Sequence, residues 1–217
     1  MDLNIKLLIF DLDDTLLHSN INYAELRFQI AELFSTPLSE EIVVKTPILE
    51  LLKRLKHEDQ NKFNEGYRRV NEAEREATKT ATLIPSAEKI PLVLKKYNLN
   101  STIYTNNSRE TIRLYLSNPD FEFLKEFTIL TRDDFSRPKP DPEGIISIIK
   151  RYHDKQISKK NTIYIGDSYI DALAADKADI KFIWFNSRHI DPELFPSPPY
   201  ATLNDWSDFE ATLHGLC

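Results

Sequence analysis

The sequence predicts an α/β fold, in which a parallel β-sheet carries helices on both faces. Short apolar segments alternate with amphipathic helical patterns along most of the chain. Several apolar segments end in acidic or hydroxyl residues, and ligands of open α/β sheets gather at the carboxyl ends of the strands. A long helical stretch interrupts the alternation after the first strand. We therefore expect a Rossmann-like sheet with an inserted all-helical block.

The predicted strands are short segments rich in β-branched or aromatic residues. The apolar run Leu7–Phe10 is the first, and its composition is typical of a buried strand. Four further strands and a weaker last one follow it: Ser101–Thr105, Phe127–Thr131, Thr162–Gly166, Lys181–Phe185 and Tyr200–Leu203.

Helical patterns separate these strands. In Glu143–His153, for example, the isoleucines recur at helical spacing and form one broad apolar face. The expected helices of the sheet region are Ile90–Tyr97, Ser108–Ser117, Glu143–His153, Asp171–Ala178 and Ser207–His214.

Residues 18–82 show no strand pattern and are predicted to be helical throughout. Tyr23–Phe34 carries apolar residues on one side, and Pro47 suits the first turn of a helix that continues to Lys56. Glu58–Lys79 is highly charged with a narrow apolar stripe. We therefore expect a core domain of residues 1–17 and 83–217 and an inserted helical domain of residues 18–82.

The composition is ordinary for a globular protein of 217 residues, with 41% hydrophobic residues and a formal net charge of −6. This charge offers no general reason to bind nucleic acid or an acidic membrane surface. The single cysteine, Cys217, excludes a disulfide within the chain. The apolar stretches are too short to span a bilayer, and no signal-peptide pattern is visible. We expect a cytoplasmic monomer or homodimer.

Two acidic residues, Asp11 and Asp13, directly follow the first strand. Side chains alternate along an extended strand, so both carboxylates are expected on the same side. Two neighbouring carboxylates are costly unless a positive charge lies between them. Hard divalent cations prefer oxygen ligands, so this pair predicts a metal site.

Three further polar clusters follow later strands. Thr105 and Asn106 precede a helix, where they suit either a phosphate oxygen or an N-cap. Lys139 lies between two prolines, which restrict its backbone and would help to hold its ammonium group at a fixed place. Gly166 permits a tight exit from its strand, and Asp167 follows it.

These clusters resemble, in order, the four motifs of the haloacid dehalogenase (HAD) superfamily. The matching segments are Asp11-Leu12-Asp13-Asp14-Thr15, the strand ending in Thr105-Asn106, Lys139 before Pro-Asp-Pro, and Gly166-Asp167 with Asp171 one helical turn later. The helical insertion resembles the C1 cap of phosphatases similar to phosphoglycolate phosphatase. Asp179 stands where this family usually has glycine, and aspartate tolerates the left-handed backbone better than most residues.

The resemblance implies an enzyme that hydrolyses phosphomonoesters of small metabolites with Mg²⁺. Asp11 would be the nucleophile that forms an aspartyl phosphate, and Asp13 the general acid and base. Lys139, in a partly open pocket crowded with carboxylates, would neutralise the nucleophile and the phosphoryl oxygens. Thr105 and Asn106 would bind the phosphate together with Lys139.

The resemblance also implies a set of metal ligands. Mg²⁺ would be bound by Asp11, by the backbone carbonyl of Asp13 and by Asp167. Asp171 would not bind the metal directly but would support the residues that do.

Several other functions share parts of this pattern. Asp13 argues against a haloalkanoic acid dehalogenase, whose substrate needs no proton on the leaving group. A β-phosphoglucomutase-like phosphotransferase and a pyrimidine or other nucleoside 5′-monophosphate nucleotidase remain open. The helical insertion and the Gly-Asp-x-x-x-Asp pattern argue against a signalling receiver module. The inserted arginines Arg68, Arg69 and Arg75 suit either an anionic leaving group or a solvated helix face.

Overall fold

The computed structural model describes residues 4–186 and 195–216. Within these ranges, six strands form one sheet of parallel neighbours, and two short strands form a separate antiparallel pair. The strands are β1 (Leu7–Phe10), β2 (Leu17–His18), β3 (Thr82–Leu83), β4 (Asn100–Tyr104), β5 (Thr128–Leu130), β6 (Thr162–Gly166), β7 (Lys181–Phe185) and β8 (Ala201–Leu203).

The α-helices of the described residues fall into an inserted group and a group that accompanies the sheet. They are α1 (Tyr23–Ala31), α2 (Glu40–Lys45), α3 (Ile48–Glu58), α4 (Gln60–Ala77), α5 (Ile90–Lys96), α6 (Arg109–Ser117), α7 (Glu143–Arg151), α8 (Tyr169–Ala178) and α9 (Phe209–Gly215). No helix of the described part is long and apolar enough to cross a membrane.

The large sheet has the strand order β5-β4-β1-β6-β7-β8. β1 is central, and its last residue, Phe10, is in register with Ile103 of β4 and Ile165 of β6. Because these strands are parallel, the residues that follow their carboxyl ends lie along one edge of the sheet. The predicted Rossmann-like α/β fold is confirmed.

Alternation along β1 determines which side chains enter each layer of the core. Leu7 and Ile9 are fully buried in a cluster that also contains residues of α7 and α8. Phe10 contacts the aromatic rings of Phe127, Trp206 and Phe209. Burial of one large apolar side chain stabilises the folded state by about 1.5–3 kcal/mol. Packing on both faces of the sheet therefore stabilises the central strand.

The predicted bounds of the sheet agree closely with the structure. Thr162–Gly166 and Lys181–Phe185 are strands as predicted. The other predicted strands of this sheet after β1 differ from the observed ones by a single residue at one or both ends. Asp179 ends α8 in the left-handed conformation with a φ of 59°, as its position after Ala178 predicted.

The prediction that residues 18–82 contain no strand is wrong at both ends of that range. Leu17 and His18 pair in an antiparallel manner with Leu83 and Thr82. Strands of two residues are too short for an alternating pattern, so the pairing was not visible in the sequence. This antiparallel ribbon of β2 and β3 joins the two points at which the chain leaves and re-enters the sheet-containing part of the protein.

The chain divides into two compact units, Met1–His18 with Thr82–Cys217 and Ser19–Ala81. We call the second the inserted unit. Its core contains Leu26 and Ile30 of α1, Leu52 of α3 and Val70 of α4. A Cβ atom on Gly66 would lie 2.7 Å from Leu52 Cδ2, so glycine lets α3 and α4 approach closely.

The inserted unit is built from helices with local caps. Ser39 begins the short helix α2, which was not singled out in the sequence, by accepting a hydrogen bond from the backbone N–H of Ile42. Asp59 separates α3 from α4, and its carboxylate accepts hydrogen bonds from the N–H groups of Asn61 and Lys62. The predicted helix Glu58–Lys79 therefore begins two residues later.

Candidate active site

Lys139 lies between two carboxylates at the carboxyl edge of the sheet. Its Nζ atom is 2.6 Å from Asp11 Oδ1 and 2.8 Å from Asp171 Oδ1. Asp11 follows β1, Lys139 follows β5 and Asp171 belongs to α8, so the fold brings together three segments that are distant in the sequence.

Lys139 is only 3% exposed, which corrects the expectation of a partly open pocket. Its ammonium also donates to the hydroxyl of Tyr164 at 2.9 Å. The rings of Tyr104 and Tyr164 lie 5.5 and 5.6 Å from Nζ, which is within the range of a cation–π interaction. Although burial alone would lower it, Asp11 and Asp171 hold the pKa of Lys139 above its ordinary value.

Asp171 is fixed by the first turn of α8. One carboxylate oxygen accepts hydrogen bonds from the backbone and the hydroxyl of Ser168, the N-cap residue. The other accepts from Lys139 and Tyr164. This use of both oxygens favours a role in positioning Lys139.

Gly166 leaves room for the Asp171 carboxylate. A Cβ atom at Gly166 would lie 2.6 Å from Asp171 Cγ, closer than real side chains approach. No described glycine has a positive φ. Glycine is therefore required here for close approach, and the expected role in a tight backbone turn is corrected.

Three carboxylates offer oxygen atoms to a metal ion. The ligand atoms of Asp11, Asp167 and Asp171 all lie within 4.8 Å of one another. Burial and the Asp171 carboxylate raise the pKa of Asp11 to about 8, and Lys139 only partly opposes this shift. A hard divalent cation would favour the ionised form, so the donor set fits Mg²⁺.

Asp13 is buried, but its side chain does not belong to the described carboxylate group around Asp167. Its Oδ2 atom instead accepts a hydrogen bond of 2.6 Å from the side-chain amide of Asn107. The carboxylates of Asp11 and Asp13, two residues apart, therefore occupy chemically different surroundings.

The loop after β4 holds the predicted phosphate ligands. Thr105 is fully buried, and its hydroxyl oxygen accepts a hydrogen bond from the N–H of Asn107. The Asn106 amide donates to the carbonyl of Lys139 at 2.9 Å and accepts from its N–H at 3.0 Å. The Asn106 side chain thus ties this loop to the Lys139 backbone. The predicted phosphate contact of Asn106 would therefore have to come from its backbone N–H.

The sequence did not single out Asn107, Tyr164 or Arg132. Asn107 was detectable as a third polar residue after the strand, whereas Tyr164 resembled any other aromatic strand residue. Arg132 is buried and donates to the carbonyl of Asn106 at 2.6 Å. No sequence pattern distinguishes such a buried arginine from a surface one.

Arg68 and Arg69 of the inserted unit contact other residues of the same unit. Arg68 forms ion pairs with Glu65 and Glu72 of the same helix. Arg69 pairs with Glu65 and donates to the backbone carbonyl of Gln29, and the third arginine, at position 75, is exposed. These contacts favour the interpretation as a charged helix surface.

The chain belongs to the haloacid dehalogenase-like hydrolase family, whose model matches residues 8–185. It is 29% identical to a phosphoglycolate phosphatase of Cereibacter sphaeroides over 96% of this chain and 97% of that protein. It is 25% identical to the pyrophosphatase PpaX of Bacillus velezensis over 83% of this chain and 82% of that protein.

Solved structures share the fold. A hydrolase from Pseudomonas syringae superposes with a TM-score of 0.75 at 22% identity and covers 98% of this chain and 99% of its own. A subfamily IA HAD hydrolase from Geobacter sulfurreducens has a TM-score of 0.62 at 19% identity, with 97% of both chains covered. The family match and the related phosphatases together define an enzyme of the HAD phosphatase type.

Proposed function

We propose that this phosphatase hydrolyses phosphomonoesters of small metabolites through an aspartyl phosphate on Asp11, with Mg²⁺ bound beside it. The observation that carries the proposal is the contact of the Asp11 carboxylate with Lys139, 2.6 Å away, in a cluster with Asp167. This arrangement combines a nucleophile with a fixed positive charge and with oxygen ligands for a metal.

In the first step, a carboxylate oxygen of Asp11 attacks phosphorus and the bond from phosphorus to the leaving oxygen breaks. Asp13 transfers its proton to that oxygen, so the product departs as an alcohol. In the second step, Asp13 takes a proton from water as the water attacks phosphorus. The acyl phosphate bond breaks, which regenerates Asp11 and releases inorganic phosphate.

Three groups serve the transferred phosphoryl group. Lys139 balances the charge of Asp11 and of the phosphoryl oxygens, while the Thr105 hydroxyl and the backbone N–H of Asn106 donate to those oxygens. Mg²⁺ would be held by Asp11, the backbone carbonyl of Asp13 and Asp167, and when bound it supplies charge neutralisation and orientation. Asp171 acts through Lys139.

The relatives suggest an order in which substrates should be tested. Phosphoglycolate comes first because the phosphatase of Cereibacter sphaeroides matches nearly the whole chain. Pyrophosphate comes second because of the resemblance to PpaX. Nucleoside monophosphates and sugar phosphates complete the panel. We further propose that the inserted unit is the C1 cap of the enzyme.

The test separates the roles of Asp11 and Asp13. Asp11→Asn lacks the nucleophile, so no phosphoryl-enzyme should form with any substrate. Asp13→Asn keeps the nucleophile, so p-nitrophenyl phosphate, whose leaving group needs no proton, should still label Asp11 and release a burst of nitrophenolate. Alkyl phosphates should lose about 10²–10⁴-fold in turnover because they need the acid.

Asp14→Asn is the matched control, because Asp14 lies beside both residues and has no assigned role. Its φ of 54° is a conformation that asparagine also tolerates. Wild-type turnover in Asp11→Asn would overturn the proposal. Failure of Asp13→Asn to form a phosphoryl-enzyme from p-nitrophenyl phosphate would contradict the assignment of Asp13.

A further inference from the structure

The side chain of Asn107 contacts the carboxylate that the proposed mechanism uses for proton transfer. Asn107 Nδ2 is 2.6 Å from Asp13 Oδ2, and Asn107 is 2% exposed. The two residues follow β4 and β1, which are parallel neighbours in the sheet. Their contact is therefore a direct result of the strand order.

The backbone around Asn107 is fixed from several directions. Its N–H donates to the Thr105 hydroxyl oxygen at 3.1 Å, and its carbonyl accepts from the N–H of Arg132 at 3.2 Å. The next residue, Ser108, caps α6 by accepting from the N–H of Thr111. The Asn107 amide is consequently presented to Asp13 by an ordered loop.

We propose that Asn107 is a positioning residue that orients Asp13 for proton transfer; this inference rests on the proposed function. An amide N–H only donates, so Asp13 Oδ2 serves as an acceptor and the transferable proton is held on Oδ1. Asn107 itself does not touch the reacting atoms. It selects which oxygen of Asp13 faces the leaving group, which is the kind of outer contact that orients catalytic ligands elsewhere.

The effect of Asn107→Ala should depend on the leaving group. With an alkyl phosphate, turnover should fall about 10–100-fold because the acid is no longer oriented. With p-nitrophenyl phosphate, the rate of the first burst should stay near the wild-type rate, because nitrophenolate leaves without a proton. KM should change little for either substrate.

A double-mutant cycle tests whether the effect passes through Asp13. In an Asp13→Asn background, Asn107→Ala should produce no further selectivity against alkyl phosphates. Asn107→Asp keeps nearly the same shape but replaces the donor with a second carboxylate, so it should be impaired at least as much as Asn107→Ala. It also keeps the test valid if the alanine variant fails to fold.

Asn118→Ala is the control for a merely structural asparagine, since Asn118 accepts a hydrogen bond from the N–H of Asp120 at the start of a 3₁₀-helix. It should lower the melting temperature and affect all leaving groups equally. Equal losses on alkyl and aryl substrates in Asn107→Ala, with Asp13→Asn still selective, would overturn this inference alone. If Asp13→Asn were also unselective, the proposed role of Asp13 and this inference would both fail.

Discussion

The most consequential single residue is Lys139, because its ammonium group is buried between the carboxylates of Asp11 and Asp171. Buried charges are tolerated only when they are paired and hydrogen-bonded. Lys139 satisfies this condition with two carboxylates and the hydroxyl of Tyr164. The same ammonium group therefore stabilises the core and, in the proposed mechanism, balances the charge of the nucleophile Asp11.

Lys139→Ala should abolish most turnover and destabilise the metal-free protein. Removing one partner of a buried ion pair typically costs about 3–5 kcal/mol, because the remaining charge is left buried without compensation. Urea unfolding monitored by circular dichroism measures this change. Lys125→Ala is the control, because the Lys125 side chain is 53% exposed. An unchanged free energy of unfolding in Lys139→Ala would contradict the role of Lys139 in stabilising the folded protein.

At the scale of elements, the packing of α7 against β4 depends on Gly144. A Cβ atom at this position would overlap with the ring of Tyr104. Tyr104 is fully buried, and its ring also faces the Lys139 ammonium. Gly144 thus links the position of α7 to the surroundings of Lys139.

Gly144→Ala should destabilise the protein by about 1–3 kcal/mol, the usual cost of overpacking a core. It should also lower turnover, because a displaced Tyr104 changes the surroundings of Lys139. Gly215→Ala provides the matched control, since a Cβ atom there meets nothing within 4 Å. Thermal unfolding of both variants tests the packing argument, and similar melting temperatures would refute it.

A second prediction at this scale concerns Glu58 at the end of α3. Hydrogen bonds from Ser35 and Lys62 lower the pKa of Glu58 to about 2, from an ordinary value of 4.5. Because the lowered pKa belongs to the folded state, the ionised Glu58 carboxylate contributes fully to stability when the pH is above 4.5. This contribution is lost as the pH falls from 4.5 towards 2.

Glu58→Gln should therefore lower the melting temperature at neutral pH, and the difference from wild type should shrink at about pH 3. Glu126→Gln, which changes the net charge equally at an exposed site, is the control. A pH-independent difference would show that Glu58 acts through shape rather than charge.

At the scale of the whole molecule, the parallel sheet brings together acidic side chains from distant parts of the chain. Asp11, Asp167 and Asp171 approach because β1 and β6 are neighbours in the sheet. The Lys139 ammonium is a single positive charge among three carboxylates, so the group should bind a divalent cation with a gain in stability. Metal binding is therefore expected to affect folding as well as activity.

Mg²⁺ should raise the melting temperature, since a ligand present at 100 times its Kd stabilises the folded state by about 2.7 kcal/mol. Removal of metal with a chelator should abolish both this gain and turnover. Asp167→Asn should lose most of the Mg²⁺ effect, whereas Asp120→Asn, at an exposed position, should keep it. Full turnover after exhaustive chelation would contradict the proposed cofactor.

The sequence by itself determined the fold class and located the motif segments. Strand composition and helical periodicity are local properties, so β6 and β7 were predicted with their observed bounds. Parallel strands also imply that the residues after them meet at one edge of the sheet. The contact of Lys139 with Asp11 was expected because the resemblance to the HAD motifs implies it.

Only the tertiary structure decided which partner each side chain takes. Lys139 is buried, Asn107 contacts Asp13, and Asn106 pairs with the Lys139 backbone. Each of these contacts joins residues that are tens of positions apart in the sequence. The ribbon of β2 and β3 is likewise too short to leave a pattern. Such contacts depend on the distance between two segments after folding, and neither segment alone encodes that distance.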